Sequence, residues 1–314
     1  MNDIIIDPLS MMQSTVVMVL SCFLGVFIAN LFLELGFADL ISKPITPLMK
    51  LANLPSTFSI PAMISTLDVR GGLSMIGSIR EKNSIDDSAI IAYKLVSRPF
   101  STVFFLFRYY LPVSLAALGF YVGSIYIVLS FALAFICMFF GIIYGKLKVK
   151  RREISFENPN KSKKKNNVIV SALNSAFEMT KKVFLRYIFV MLFVNLLAFF
   201  GIFDLISREI DIYTKFFGFS SNFAVIISIY IVSPLAAVLT AGEFLKNDLI
   251  GIKECLLSLL IGRFLFTALM DYPRHSLPFY ASIFPIKLAF KLFLAGIVAN
   301  AIAIAFLILV VFLF

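Results

Sequence analysis

The chain has 314 residues, of which 60% are hydrophobic and only 15% charged, with a mean hydropathy of +0.96. A soluble domain of this length cannot hide that much apolar surface, so the composition excludes an ordinary water-soluble fold and points to lipid as the solvent. The formal net charge of +10 would suit nucleic acid, but its concentration in one linker argues against that partner.

Along the chain, Met1 to Ser10 carries two Asp and neither Lys nor Arg, so no cleavable secretory signal is expected. Residues 16–37, 120–144 and 288–314 each read as a span of about 20 or more apolar residues, and 187–203 reads as a shorter fourth. Less uniform apolar stretches at 55–82, 86–112, 222–246 and 250–270 are interrupted by Pro, Gly or a charge. Nine basic residues lie between Lys146 and Lys165, beside Pro159 and Asn-rich sequence. That stretch reads as a solvated linker, and the positive-inside rule puts it in the cytoplasm. Cys22, Cys137 and Cys255 sit singly in apolar stretches and read as buried small hydrophobes.

The chain also repeats itself. Asp39-Leu40-Ile41-Ser42 recurs 165 residues later as Asp204-Leu205-Ile206-Ser207. The same offset pairs Asn30 with Asn195, Gly36 with Gly201, Phe58 with Phe223, Gly77 with Gly242, Arg98 with Arg263 and Thr102 with Thr267. The expected organisation is a first membrane repeat over 1–145, a basic cytoplasmic linker over 146–167 and a second repeat over 168–314. Each repeat runs span, amphipathic stretch, broken segment, arginine-bearing helix, span.

The broken segments carry the topology. Pro55 to Pro61 leads to Asp68-Val69-Arg70-Gly71-Gly72, and the second copy breaks at Ser233-Pro234. A charge pair beside two glycines cannot sit in lipid as plain helix, so the freed backbone must face protein or a wet cavity. A re-entrant hairpin and a kinked crossing both satisfy that. The hairpin makes the repeats inverted and collects most Lys and Arg on the linker side, an asymmetry that favours it.

Arg98 and Arg263 each fall about halfway along their predicted helices, where an unpaired cation costs at least ~2.5 kcal/mol. Inverted repeats would bring both near the axis relating the copies. Guanidinium groups there can bind phosphate or carboxylate in bidentate fashion; alternatively each pairs with a buried acid, with Asp68, Glu243 and Asp271 available. Asp68 and Arg70 either neutralise each other at the first break or line a substrate cavity. Thr66, Ser233 and Thr240 are candidate hydroxyl ligands, against the simpler outcome that they bond backbone locally. Asp271 and the single histidine, His275, are expected at the end of the second arginine helix near the membrane surface, with a proton relay as one reading. Glu34 has no acidic counterpart and reads as an interface residue. No nucleotide-binding loop, nucleophile elbow or metal-ligand spacing is present, so no catalytic residue, cofactor or metal is expected and the protein is not read as an enzyme.

On Pro61-Ala62-Met63-Ile64-Ser65-Thr66 through Gly71-Gly72, and Ser233-Pro234-Leu235-Ala236 in the second copy, the chain resembles the nucleoside-recognition or "Gate" group of membrane proteins. That group includes the pore region of ferrous-iron transporter B, spore-maturation membrane proteins and parts of concentrative nucleoside transporters. The resemblance implies membrane transport, with nucleosides as one cargo class. Iron is disfavoured, because no Cys stands in the hairpin and no GTP-binding domain accompanies it.

The sequence thus predicts an all-α polytopic protein of the cell membrane with two inverted repeats. It would move an anionic, phosphate-bearing solute or lipid headgroup past Arg98, Arg263, Arg70, Asp68, Thr66, Ser233, Thr240 and Glu243. A nucleoside transporter and a non-transporting scaffold are the alternatives. The bilayer and the anion are the expected partners, nucleic acid is not, and a homo-oligomer is left open.

Overall fold

The computed structural model describes residues 44–66, 68–83, 85–106, 113–151 and 221–313, together with Tyr110 and scattered positions between 20 and 31 and between 169 and 185. Among the described residues every regular element is helical. In chain order they are α1 (Thr46–Leu51), a 3-10 turn (Ser56–Phe58), α2 (Ser59–Ile64), α3 (Val69–Lys82), α4 (Asp87–Val96), α5 (Arg98–Phe105) and α6 (Leu115–Lys148). The second half holds α7 (Ser221–Val232), α8 (Pro234–Lys246), α9 (Ile252–Leu265), a π-helix (Phe266–Ser276), α10 (Leu277–Ile283) and α11 (Ile286–Leu313). The expected span 187–203, most of 16–37 and residues 152–167 of the linker lie outside the described residues.

Among the described residues, two helices are long and apolar enough to cross a bilayer, α6 and α11. In α6, Gly119 has φ 76° and ψ 169°, which breaks the helix, so the uninterrupted part begins at Phe120, where the predicted span begins. Past Lys291, α11 is apolar on every side except for the buried Asn300. Leu288, Leu292, Ala299, Ala303 and Leu307 are buried, while Phe290, Leu294, Val298, Ile302 and Phe306 stand about half exposed on the other side. A helix apolar on both sides belongs to the core of a larger fold or to a membrane span. Small residues let α6 approach its neighbours: a Cβ at Gly141 would stand 2.8 Å from the Val96 nitrogen, and one at Gly145 would stand 3.0 Å from the Ala52 carbonyl carbon.

Both broken segments fold back on themselves. Asn222 Nδ2 donates to the Leu249 carbonyl at 2.9 Å, tying the first turn of α7 to the chain just past α8. In one continuous helix those residues would lie ~40 Å apart, so α7 and α8 form a closed hairpin with its tip at Ser233. In the first half, a Cβ on Gly72 would stand 2.6 Å from the Pro61 carbonyl and would also meet Ser65. Glycine at this position lets α3 lie against α2, where a continuous helix would separate positions 61 and 72 by ~16 Å.

The helix starts keep the sequence offset: Val69 and Pro234 open α3 and α8, and Asp87 and Ile252 open α4 and α9, 165 residues apart in each case. The first arginine segment differs from expectation. It is split at Ser97, and Arg98 opens α5 rather than lying mid-helix. Pro99 is the cause, because it supplies no N–H and crowds the preceding turn. One apolar core gathers around α1 to α4 with α10 and the start of α11; a second gathers around α7 to α9, α6 and the end of α11.

Candidate functional site

α9 runs without a break into an 11-residue π-helix that contains Pro273. Leu106, Tyr110, Val113 and Ser114, after the first arginine, are π-helical as well. π-geometry is rare and often marks functional sites, because the widened turn aims side chains that an α-helix would space differently. Here it carries Asp271, Tyr272, Arg274 and His275 into the fold. The expectation that Asp271 and His275 mark a helix end at the membrane surface is corrected: the helical run continues to Ser276 and on into α10. Asp271 lies within the electrostatic reach of His275, Arg98, Arg70 and Lys94.

Lys94, on α4, is the least exposed cation among the described residues, at 8%. Its ammonium donates to the Leu292 carbonyl of α11. It also lies 5.0 Å from the Tyr272 ring centroid and 4.8 Å from that of Tyr280, inside cation–π range. The notch that admits it is Gly296, where a Cβ would meet the ammonium itself and would stand 2.8 Å from the Tyr272 hydroxyl. Asn300, buried one turn further along α11, donates to the Tyr272 hydroxyl at 3.1 Å and faces the Cys137 thiol at 3.8 Å.

The two arginines are held differently. Cys137 of α6 lies within the electrostatic reach of Arg98, Arg263 and Lys94, and Tyr110 lies within that of both arginines. Arg263 Nη1 donates to Ser130 Oγ at 2.8 Å, and its guanidinium lies 5.5 Å from the Tyr110 ring centroid. Ser130 in turn donates to the Tyr126 carbonyl at 2.9 Å, and the Tyr126 and Tyr230 hydroxyls share a hydrogen bond of 2.9 Å. Arg98 makes no such bond among the described residues. Tyr272, Cys137, Tyr280 and Tyr110 lie within its electrostatic reach.

The other predicted residues divide. Arg70, at the first hairpin tip, joins the cluster: its guanidinium lies 5.9 Å from the Phe279 ring, and Asp271 and His275 are within its electrostatic reach. Asp68 Oδ1 accepts from the Arg70 backbone N–H at 3.0 Å, capping α3. Ser233 does the same for α8, accepting from the Ala236 N–H at 3.3 Å. Thr66 donates to the Met63 carbonyl at 2.7 Å, the local outcome. Thr240 is half-buried on α8, and Glu243 is exposed there, its carbonyl accepting from Asn247. Cys137 and Cys255 are buried and free.

Sequence reasoning missed Lys94, Asn300 and the tyrosines around both arginines. For Lys94 a signal existed: a second cation one helical turn before Arg98, inside an apolar stretch. Nothing comparable distinguished the tyrosines, whose spacing does not reveal which ring meets which cation.

No family model matches the chain, and no solved structure does. It is similar to three uncharacterized proteins of Methanocaldococcus jannaschii. MJ0880 is 25% identical over 265 residues, 83% of this chain and 85% of that protein. MJ0871 is 26% identical over 269 residues, 85% and 83%. MJ1556 is 26% identical over 275 residues, 85% of each.

Proposed function

We propose that the protein is a multi-pass transporter of the cell membrane, built from two inverted repeats, that carries an anionic, phosphate-bearing solute or lipid headgroup through the centre of the fold. The observation that carries this reading is the buried Lys94 ammonium, set against the Leu292 carbonyl and the Tyr272 and Tyr280 rings one helical turn from Arg98, with no carboxylate in ion-pair contact with either among the described residues. Clustered cations inside an apolar fold are costly unless an anion or an aromatic face offsets them. Transporters that pair inverted repeats with broken helices use such sites for anionic cargo.

The repeat reading draws support from the equal offset of the helix starts and from the two hairpins. The spanning reading draws support from α6 and α11 and from the exposed apolar face of α11. The basic linker then lies on the cytoplasmic side, and the resemblance to the Gate group agrees with transport. The test is thermal stabilisation of the purified protein by a panel of phosphates, carboxylates, nucleosides and lipid phosphates, with Arg98→Gln/Arg263→Gln alongside. Stabilisation by one anion class that disappears in the double variant supports the reading. Stabilisation by nucleosides regardless of the arginines points to a nucleoside carrier, and no stabilisation at all points to a scaffold.

A further inference from the structure

Lys94 and Arg98 stand one helical turn apart across the break at Ser97, and the Tyr272 ring centroid lies 5.0 Å from the Lys94 ammonium. Like charges at that spacing repel. No ion pair joins either of them to a carboxylate among the described residues. Asp271 is the acid in reach, and Arg70 of the first hairpin shares it. Two basic side chains thus adjoin each other with no carboxylate in ion-pair contact with either among the described residues. Arg263 is in a different position: Ser130 and the Tyr110 ring already hold it.

The donors remaining point the same way. An ammonium has three donors, and Lys94 gives one to the Leu292 carbonyl. A guanidinium has five in a planar fork, and the Arg98 fork makes no hydrogen bond among the described residues. Resting on the transport reading above, we propose that Lys94 and Arg98 form a two-cation clamp for a doubly charged oxyanion, a phosphomonoester or an anion of the same charge and shape. Arg263 is then a brace that holds α9 to α6 rather than a ligand. Tyr272 and Asn300 fix the clamp geometry through the hydroxyl bond that links them.

The experiment is binding of inorganic phosphate, sulfate and acetate to the full chain in detergent, by equilibrium dialysis and thermal shift. Phosphatidate in mixed micelles forms a separate arm, so that a free phosphate and a lipid headgroup are told apart. Phosphate and sulfate should bind and acetate should not. Lys94→Met and Arg98→Gln should each weaken phosphate binding by about tenfold or more, the scale of one lost charge-assisted contact. Arg263→Gln should lower the starting melting temperature while leaving phosphate affinity within about threefold of wild type. Should Lys94→Met fail to fold, Lys94→Arg and Arg98→Lys serve instead: both keep the charge, and the second loses the fork and with it part of the affinity. Phosphate binding that survives Lys94→Met and vanishes in Arg263→Gln overturns the clamp, as does acetate binding equal to phosphate. If no oxyanion, soluble or lipid-borne, binds the wild-type chain, the transport reading itself falls and the clamp with it.

Discussion

Asp68 and Ser233, 165 residues apart, cap their helices with nearly the same backbone, φ −152°, ψ 112° in the first and φ −146°, ψ 105° in the second. Each supplies a side-chain oxygen to an N–H of the first turn, Arg70 at 3.0 Å and Ala236 at 3.3 Å. The residue types differ but the local solution is shared, because an extended residue with a short oxygen-bearing side chain satisfies one of the orphan donors at a helix start.

Replacing either cap by alanine should therefore cost about 1 kcal/mol. Asp68→Asn and Ser233→Thr should recover most of the loss, since both keep the accepting oxygen. Thermal unfolding of the purified variants in one detergent checks this. Equal stability of Ser233→Ala and wild type would mean that Pro234, not the hydroxyl, sets the break.

Gly72→Ala should open the first hairpin. Its new methyl would stand 2.6 Å from the Pro61 carbonyl, a backbone atom that cannot swing away. Overpacking of this sort costs about 1–3 kcal/mol. Limited proteolysis around residues 61–72 should show faster cleavage than in wild type, whereas Gly251→Ala, where nothing lies within 4 Å of the added methyl, should show none.

Arg263 and Ser130 should be energetically coupled. Arg263→Gln and Ser130→Ala each remove one side of a 2.8 Å bond between α9 and α6, at a cost of about 1–3 kcal/mol apiece. The double variant should be less destabilised than the two losses added together, which a double-mutant cycle on melting data measures. Strict additivity would show that the bond contributes nothing of its own.

Asp87 links two elements at once, accepting from Arg80 at 2.9 Å and from Lys291 of α11 at 3.3 Å. All three side chains are a quarter or more exposed, so solvent and salt screen the pair. Asp87→Asn should shift stability by less than about 1 kcal/mol, and the difference should shrink in high salt. A larger, salt-independent loss would assign Asp87 a role beyond this surface link.

The sequence by itself determined the elements whose signal is local. The long apolar helices α6 and α11, the break at Ser233-Pro234 and the 165-residue offset of the helix starts could be read from apolar run length, Pro and Gly, and self-similarity, whereas the first break, read at Asp68 to Gly72, falls before Val69 and leaves Arg70, Gly71 and Gly72 inside α3. Arg98 and Arg263 also stood out, because a cation in an apolar run is conspicuous in one dimension. Only the tertiary structure decided what those cations touch. Arg263 is held by Ser130, 133 positions away in sequence, and Lys94 by the carbonyl of Leu292, 198 positions away, with Gly296 opening the space. Asp271 likewise moved from a presumed surface end to the cluster because the π-helix carried the chain onward through Ser276. Periodicity and composition report which solvent a residue prefers, whereas partnership depends on how separate helices cross, and that is set by packing across the whole fold.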